Sequence, residues 1–252
     1  MTPWAALAIF AAGLAAGTIN VIVGSGSLIT FPTLLALGYP PILANVSNNV
    51  GLVPGSASAV VAYRRELEGQ RSRLVKLGAA SLTGGITGAV LLLALPSSVF
   101  KAAIPALVLL ATVLMAVQPR VSAWLAARGE RHVHGGAPLL VGVFLTGIYG
   151  GYFGAAQGVI LISLLAIFID DGLQRLNGTK NVLALLVNGV AAVVFILSTH
   201  IDWSVAALIA AGSIIGGQLG GHYGRRLRAD ILRVCIVVVG LGVSLTLFVE
   251  WH

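Results

Sequence analysis

Lys180 lies inside an otherwise apolar stretch, flanked by Asn177 and Asn181. An ammonium beside carboxamides is a donor set suited to a small anion. Burying a lysine at membrane depth costs roughly 2.5–3.5 kcal/mol even on lenient insertion scales, which argues for a purpose. The competing reading is that Lys180 snorkels to the surface that Arg175, five residues earlier, already reaches. Asn45, Asn48 and Asn49 open an earlier apolar stretch, with Asn45 and Asn49 on one helical face at i, i+4. Asn177 and Asn181 repeat that spacing. These amides line a shared cavity or serve as interhelical hydrogen-bond glue. Two short polar breaks complete the set, Gly24-Ser25-Gly26-Ser27 and Ala155-Ala156-Gln157-Gly158. Backbone that leaves helical geometry within a membrane must be buried or line a cavity. The expectation is that N–H groups at Gly26 and Ser27, mirrored at Gln157 and Gly158, face an anion. The alternative is a flexible bend inside a hairpin.

Other reactive residue types are sparse. Asp170 and Asp171 precede Gly172 and read as a solvated turn. His132-x-His134 is a weak metal signal, and His222 and Tyr223, beside Arg225 and Arg226, suit a membrane interface. The single cysteine, Cys235, allows no internal disulfide and sits in an apolar run. Gly24-Ser25-Gly26-Ser27 lacks the Gly-Lys-Thr/Ser of a nucleotide loop. The sequons at Asn45 and Asn177 fall where glycosylation cannot reach. No Ser-His-Asp set or paired carboxylates fall within the apolar stretches. The expected catalytic residues, metal ligands and cofactors are therefore none.

The elements that must position these groups follow from composition. Of 252 residues, 58% are apolar and 9% charged, against about 25% charged in an average soluble domain. That excludes a soluble globule and a disordered chain, and leaves an integral membrane protein. The net charge of +7 is clustered between apolar stretches. It reads as a topology signal, not as a nucleic-acid surface, and the bilayer is the expected surrounding. Ten apolar segments run approximately 4–23, 27–37, 42–63, 74–95, 99–117, 138–153, 159–169, 173–197, 203–221 and 231–249. The first reads as a membrane span of the mature chain, not a signal peptide. The runs do not alternate with period two, so a β-barrel is excluded. The second and seventh segments are too short to cross a bilayer, and each follows one of the two polar breaks.

Those matching positions point to an internal repeat. A gapless shift of 132 residues lays Asn45-Val46-Ser47-Asn48-Asn49-Val50 on Asn177-Gly178-Thr179-Lys180-Asn181-Val182 and Gly84-Gly85 on Gly216-Gly217. Arg64, Arg65, Arg71, Arg73 and Lys76 crowd one loop, while its counterpart near 199–204 has no Lys or Arg. Arg225, Arg226, Arg228 and Arg233 crowd a second-half loop whose counterpart has only Lys101. By the positive-inside rule the paired loops face opposite sides. The expected fold is all-α: two inverted repeats at 1–117 and 138–252, joined by a cytoplasmic linker at 118–137, with broken helices meeting at a central site.

At these residues the chain resembles the TauE/SafE family of sulfite exporter-like permeases. The stretches that carry the resemblance are 13–32, which runs through Asn20 to Pro32, Ala44 to Asn49, Gly147 to Ala155, and Asn177 to Asn181. Asn20 enters the candidate site through this motif alone, and the family pattern places a basic residue near Lys180. The resemblance implies a secondary permease in the bacterial inner membrane. Its cargo would be a small anionic sulfur compound such as sulfite, sulfoacetate or another short organosulfonate, mostly for export. An anion channel and a membrane-embedded enzyme are the alternatives. The enzyme would need titratable groups within the spans, where only Lys180 qualifies. No Asp or Glu lies mid-segment, so an acidic proton relay is not expected.

Overall fold

The computed structural model describes residues 1–126 and 136–223, together with 234, 237, 238, 241, 242 and 245. Among the described residues the regular structure is entirely helical: α1 (Pro3–Ile22), α2 (Ser27–Ala36), α3 (Pro41–Ala62), α4 (Arg71–Ala94), α5 (Ser97–Ala126), α6 (Gly136–Tyr152), α7 (Gln157–Phe168), α8 (Leu173–Ser198) and α9 (Trp203–Tyr223). The all-α membrane fold expected from composition is the one observed. Five of these helices are long and apolar enough to cross a membrane: α1, α4, α8, most of α5 and most of α9. With 22 residues α3 is long enough too, but its asparagines and serines dilute its apolar character. Helices α2 and α7, at 10 and 12 residues, remain half-crossings. Most of the tenth segment, with Cys235, and Arg225, Arg226, Arg228, Arg233, His132 and His134 lie outside the described residues.

One boundary differs from expectation. Helix α5 runs on to Ala126, past the expected end at 117. The sequence Val121-Ser122-Ala123-Trp124-Leu125-Ala126 contains no glycine and follows Pro119 without a turn signal, so nothing local stops the helix.

Local chemistry explains the breaks. Helix α1 starts with Thr2 as N-cap, its Oγ1 accepting from Ala5 N–H at 3.2 Å, and Pro3 in the first turn. It ends where the N–H groups of Val23 and Gly24 both reach Ile19 O, with Gly24 at φ +88°. Helix α6 ends the same way: Phe153 and Gly154 donate to Tyr149 O, with Gly154 at φ +78°. These two helix ends are 130 residues apart, whereas α3 and α8, and α4 and α9, start 132 apart. The gapless shift is therefore corrected by two residues, which are the extra length of α7 over α2.

Small residues set the packing. Helix α1 lies along α9, and α6 lies along α4. A Cβ on Gly216 would come within 2.0 Å of Leu14 O, and one on Gly88 within 2.0 Å of Ile148 O. Without a hydrophobic drive between helices in lipid, this close backbone approach is what gives dispersion contacts their strength. The contacts also fix direction. Gly212 meets Phe10, and Gly220 meets Thr18, so α1 and α9 run parallel. Gly51 meets Ala206, and Ser58 meets Gly217, so α3 joins them. Helix α8 runs antiparallel to α3. The turn after α3 meets its start, through Gln70 and Thr179, and Ser47 near the start of α3 accepts from Asp202 N–H just past its end.

Candidate functional site

The two breaks touch at the centre of the molecule. Gly158 N–H donates to Gly24 O at 3.0 Å, and a Cβ on either glycine would lie 2.5 Å from the other's Cα. Only glycine at both positions permits this crossing. Asn20 Oδ1 accepts from Gly26 N–H at 2.8 Å and braces the first break. The Tyr149 hydroxyl donates to Ala155 O at 2.6 Å and braces the second. Phe31 of α2 packs edge-on against Phe153, ring centroids 5.3 Å apart, behind the crossing.

Beside the crossing lies a narrow cavity of about 20 Å³, room for about one water. Of the residues singled out in the sequence, Asn20, Ser27, Gln157, Gly158, Lys180 and Asn181 line it. Lys180 is 1% exposed and does not snorkel. Its Nζ donates to Asn20 O at 3.3 Å and Val21 O at 3.2 Å, the carbonyls that end α1. These are the negative end of the α1 dipole, a natural seat for a cation. The ammonium has three donors, so one is left for the cavity. Gln157 Nε2 and Asn181 Nδ2 are buried without a hydrogen-bond partner. Leaving such donors unmade costs about 1–3 kcal/mol each, and both stand beside the buried ammonium open to acceptors. Among the described residues none that lines the cavity is acidic.

The remaining candidates stand elsewhere. Ser25 is buried, and its Oγ donates to Met115 Sδ of α5 at 3.6 Å, turned from the cavity. Gly26 presses against Ala16 O, and its N–H is taken by Asn20. Asn45 Nδ2 donates to Tyr152 O at 3.1 Å, tying α3 to the end of α6. Asn48 is buried and Asn49 half-buried, each with Oδ1 unpartnered, and neither lines the cavity. Asn177 is half-buried on α8 and also lies outside the lining. The expectation that N–H groups at both half-helix starts face an anion is corrected at Gly26, Gln157 and Gly158, whose donors are engaged by Asn20, Gly154 and Gly24.

A family comparison decides what frame these residues belong to. The family described as Sulfite exporter TauE/SafE matches residues 9–247. The chain belongs to that family. It is similar to a probable membrane transporter protein, ORF9, of Sinorhizobium sp, with 26% identity over 96% of this chain and 92% of the relative. A probable membrane transporter protein of Haemophilus influenzae is 27% identical over 92% of this chain and 89% of its own length. The probable membrane transporter protein YfcA of Escherichia coli is 25% identical over 97% and 90%. No solved structure matches. With its apolar helices, this is a multi-pass membrane transporter of the TauE/SafE family.

Two polar lining residues of this TauE/SafE chain escaped the sequence reading, Ser56 and Asn188. They stand 132 residues apart, so the repeat itself pairs them. Asn188 also follows Lys180 and Ala184 at i, i+4, i+8, one helix face. Either signal finds them.

Asp171 also departs from the solvated turn expected of it. Its Oδ2 accepts from Arg73 Nη1 at 2.8 Å and its Oδ1 from Arg175 Nε at 2.9 Å. Gln70 joins the same cluster, accepting from Arg73 Nη1 at 2.7 Å and from Thr179 Oγ1 at 2.8 Å. Arg175 Nη1 reaches Glu68 O at 3.2 Å. This network ties the turn after α3 and the start of α4 to the start of α8, one residue before Lys180.

Proposed function

We propose that the protein is a bacterial inner-membrane permease that exports a small sulfur anion, sulfite or a short organosulfonate, by alternating access and without catalysing a reaction. The observation that carries this reading is the donor set: a buried ammonium and two unpartnered amide N–H groups around a cavity with no acidic residue among the described ones that line it. Oxygen acceptors on a compact anion match that set, and a cation does not. A cavity of about 20 Å³ is too small for such an anion. In this conformation the site is too narrow for its cargo, and passage needs the helices to move. That favours a gated carrier over an open channel.

Alternating access is supported by the arrangement of the halves, which we read as inverted repeats of 1–117 and 138–252 joined by a cytoplasmic linker. Counterpart helices α3 and α8 run antiparallel, and the pair α1 and α9 is mirrored by α6 and α4. Rocking of one half against the other exposes such a site to each side in turn. In a background where Cys235 is serine, Glu68→Cys should label from the cytoplasm and Ser204→Cys from outside. Same-side labelling overturns the inversion.

Export of an anion from a negative-inside cell runs downhill by about 2.3 kcal/mol per charge per 100 mV. With no carboxylate among the described residues of the cavity to carry a proton, uniport is the simplest mechanism. Proteoliposomes loaded with sulfite should show saturable flux that follows an imposed potential. Flux that requires a pH gradient and ignores potential overturns the uniport.

A further inference from the structure

We propose that α3 carries a second anion site, built on Asn48 and Asn49, which takes over from the α8 site when the molecule opens at the end opposite the arginines. The proposal rests on the alternating-access reading of the two repeats given above. Its ground is an unequal use of equal faces. On α8 the face at i, i+4, i+8 is Lys180, Ala184 and Asn188, and all three line the central cavity, with Asn181 beside them. Their counterparts on α3 at the 132-residue shift are Asn48, Leu52 and Ser56, with Asn49 beside them. Of these, Ser56 alone lines the cavity. Asn48 and Leu52 are each 2% exposed and stand outside the lining.

The offset has a direction. Helix α3 also lends Ala59, close to its end, whereas Ala191, the counterpart on α8, is not in the lining. Because α3 and α8 run antiparallel, late residues of α3 and early residues of α8 lie toward one end, that of Arg73 and Arg175. The cavity is thus displaced toward the arginine-rich end, although the repeat supplies corresponding groups toward the other. A carrier of two inverted repeats that leans to one side holds its halves in unlike conformations, and exchanging them leans it to the other. After that exchange Asn48, Asn49 and Leu52 take the places of Lys180, Asn181 and Ala184.

A second observation points to a ligand there. Asn48 and Asn49 each keep a buried carboxamide oxygen with no hydrogen-bond partner among the described residues. Asn45, one turn earlier, is by contrast spent on Tyr152 O. A carboxamide whose oxygen is unheld turns end for end about its last torsion and then offers N–H groups to an oxyanion. An anion seated between the two makes bonds that the helix leaves unmade. The two sites differ in charge, since Asn48 stands where α8 has Lys180. Neutral amides hold an anion less tightly than an ammonium does. Loading at the arginine-rich end is then tight and release at the other end loose, the polarity that export requires.

The test uses the full chain with Cys235→Ser in membrane vesicles of either orientation, a membrane-impermeant maleimide, and sulfite as the protectant. Ala184→Cys should label from the arginine-rich side and Leu52→Cys from the opposite side, each slowed by sulfite. The sulfite concentration that halves labelling should be at least about fivefold higher for Leu52→Cys, as expected where neutral hydrogen bonds replace charge-assisted ones. Asn48→Ala/Asn49→Ala should raise that concentration at least about another fivefold for Leu52→Cys, for the loss of two hydrogen-bonding groups. The same double variant should leave protection of Ala184→Cys within about twofold of its starting value, the scatter expected of an independent site, which also shows that the fold is kept. Leu52→Cys that does not label from the opposite side, or whose protection the double variant leaves unchanged, overturns the second site and leaves the permease reading standing. Sulfite that protects neither cysteine overturns both.

Discussion

Lys180→Met should weaken binding of sulfite at least about thirtyfold and lower transport accordingly. Among the described residues Lys180 is the only charged one lining the central cavity, and its Nζ is seated on the α1 carbonyls of Asn20 and Val21. Removing one partner of a buried, hydrogen-bonded charge pair costs about 2–5 kcal/mol. That range sets the lower bound of thirtyfold. Methionine keeps the length and most of the volume, and removing a buried charge relieves desolvation. The variant should therefore insert and fold. Calorimetric titration of sulfite into the purified protein checks the result, with Asn181→Ala as a companion. That variant removes one of the unpartnered donors and should cost less, about 1–3 kcal/mol. Wild-type affinity in Lys180→Met removes the lysine from the site. A loss of affinity that Lys180→Arg fully restores would show that charge alone, without the ammonium's compact shape, is sufficient.

The sequence made the frame of this site legible, and less of its detail. The half-crossings stood out because segments of about eleven residues cannot span a bilayer, and glycine with serine or glutamine marked where each begins. Lys180 stood out because an isolated charge in an apolar run has few neutral explanations. The orientation of α3 was not legible. Asn45, Asn48 and Asn49 share a stretch of helix with the right spacing. Which way that stretch faces is set by Gly51 and Gly55 against α9, more than 150 residues away in the chain. That packing turns Asn45 to the end of α6 and leaves the cavity to the more distant Ser56. The half-helix N–H groups failed for a related reason. Gly158 finds its acceptor at Gly24, in the other half, and no local pattern announces a contact between two breaks. Asp171 likewise looked like turn chemistry because Arg73, which holds it, belongs to the first half.

Asp171→Asn should open the arginine-rich end of the molecule to the central cavity. The network around Asp171 joins the start of α4 to the start of α8, and α8 carries Lys180, Asn181 and Asn188 into the cavity. For cargo to enter from that end, α8 must part from the turn after α3, and these bonds are what resist it. Both ion pairs are only part-exposed, so screening by water is incomplete. Hydrogen bonds to a charged group are worth about 1.5–3 kcal/mol, so losing the carboxylate shifts the balance toward opening by roughly tenfold or more. A cysteine at Ala184, which lines the cavity, reports the change in a background where Cys235 is serine. Its modification by a water-soluble maleimide from the arginine-rich side should quicken about tenfold in Asp171→Asn, and substrate protection should persist. Unchanged reactivity would show that the ion pairs brace the turn without gating the site. The sign of the pH effect follows from the same contacts. Burial pushes the Asp171 carboxyl pKa up, but hydrogen bonds from Arg73, Gly172 N–H and Arg175 outweigh it and hold the pKa below its ordinary value of 3.8. The stabilisation is thus complete above that ordinary value and is lost only as pH falls through the lower folded one. Between pH 5 and 8 the wild-type labelling rate, corrected for maleimide chemistry, should stay flat, and the gap between wild type and Asp171→Asn should remain constant across that range.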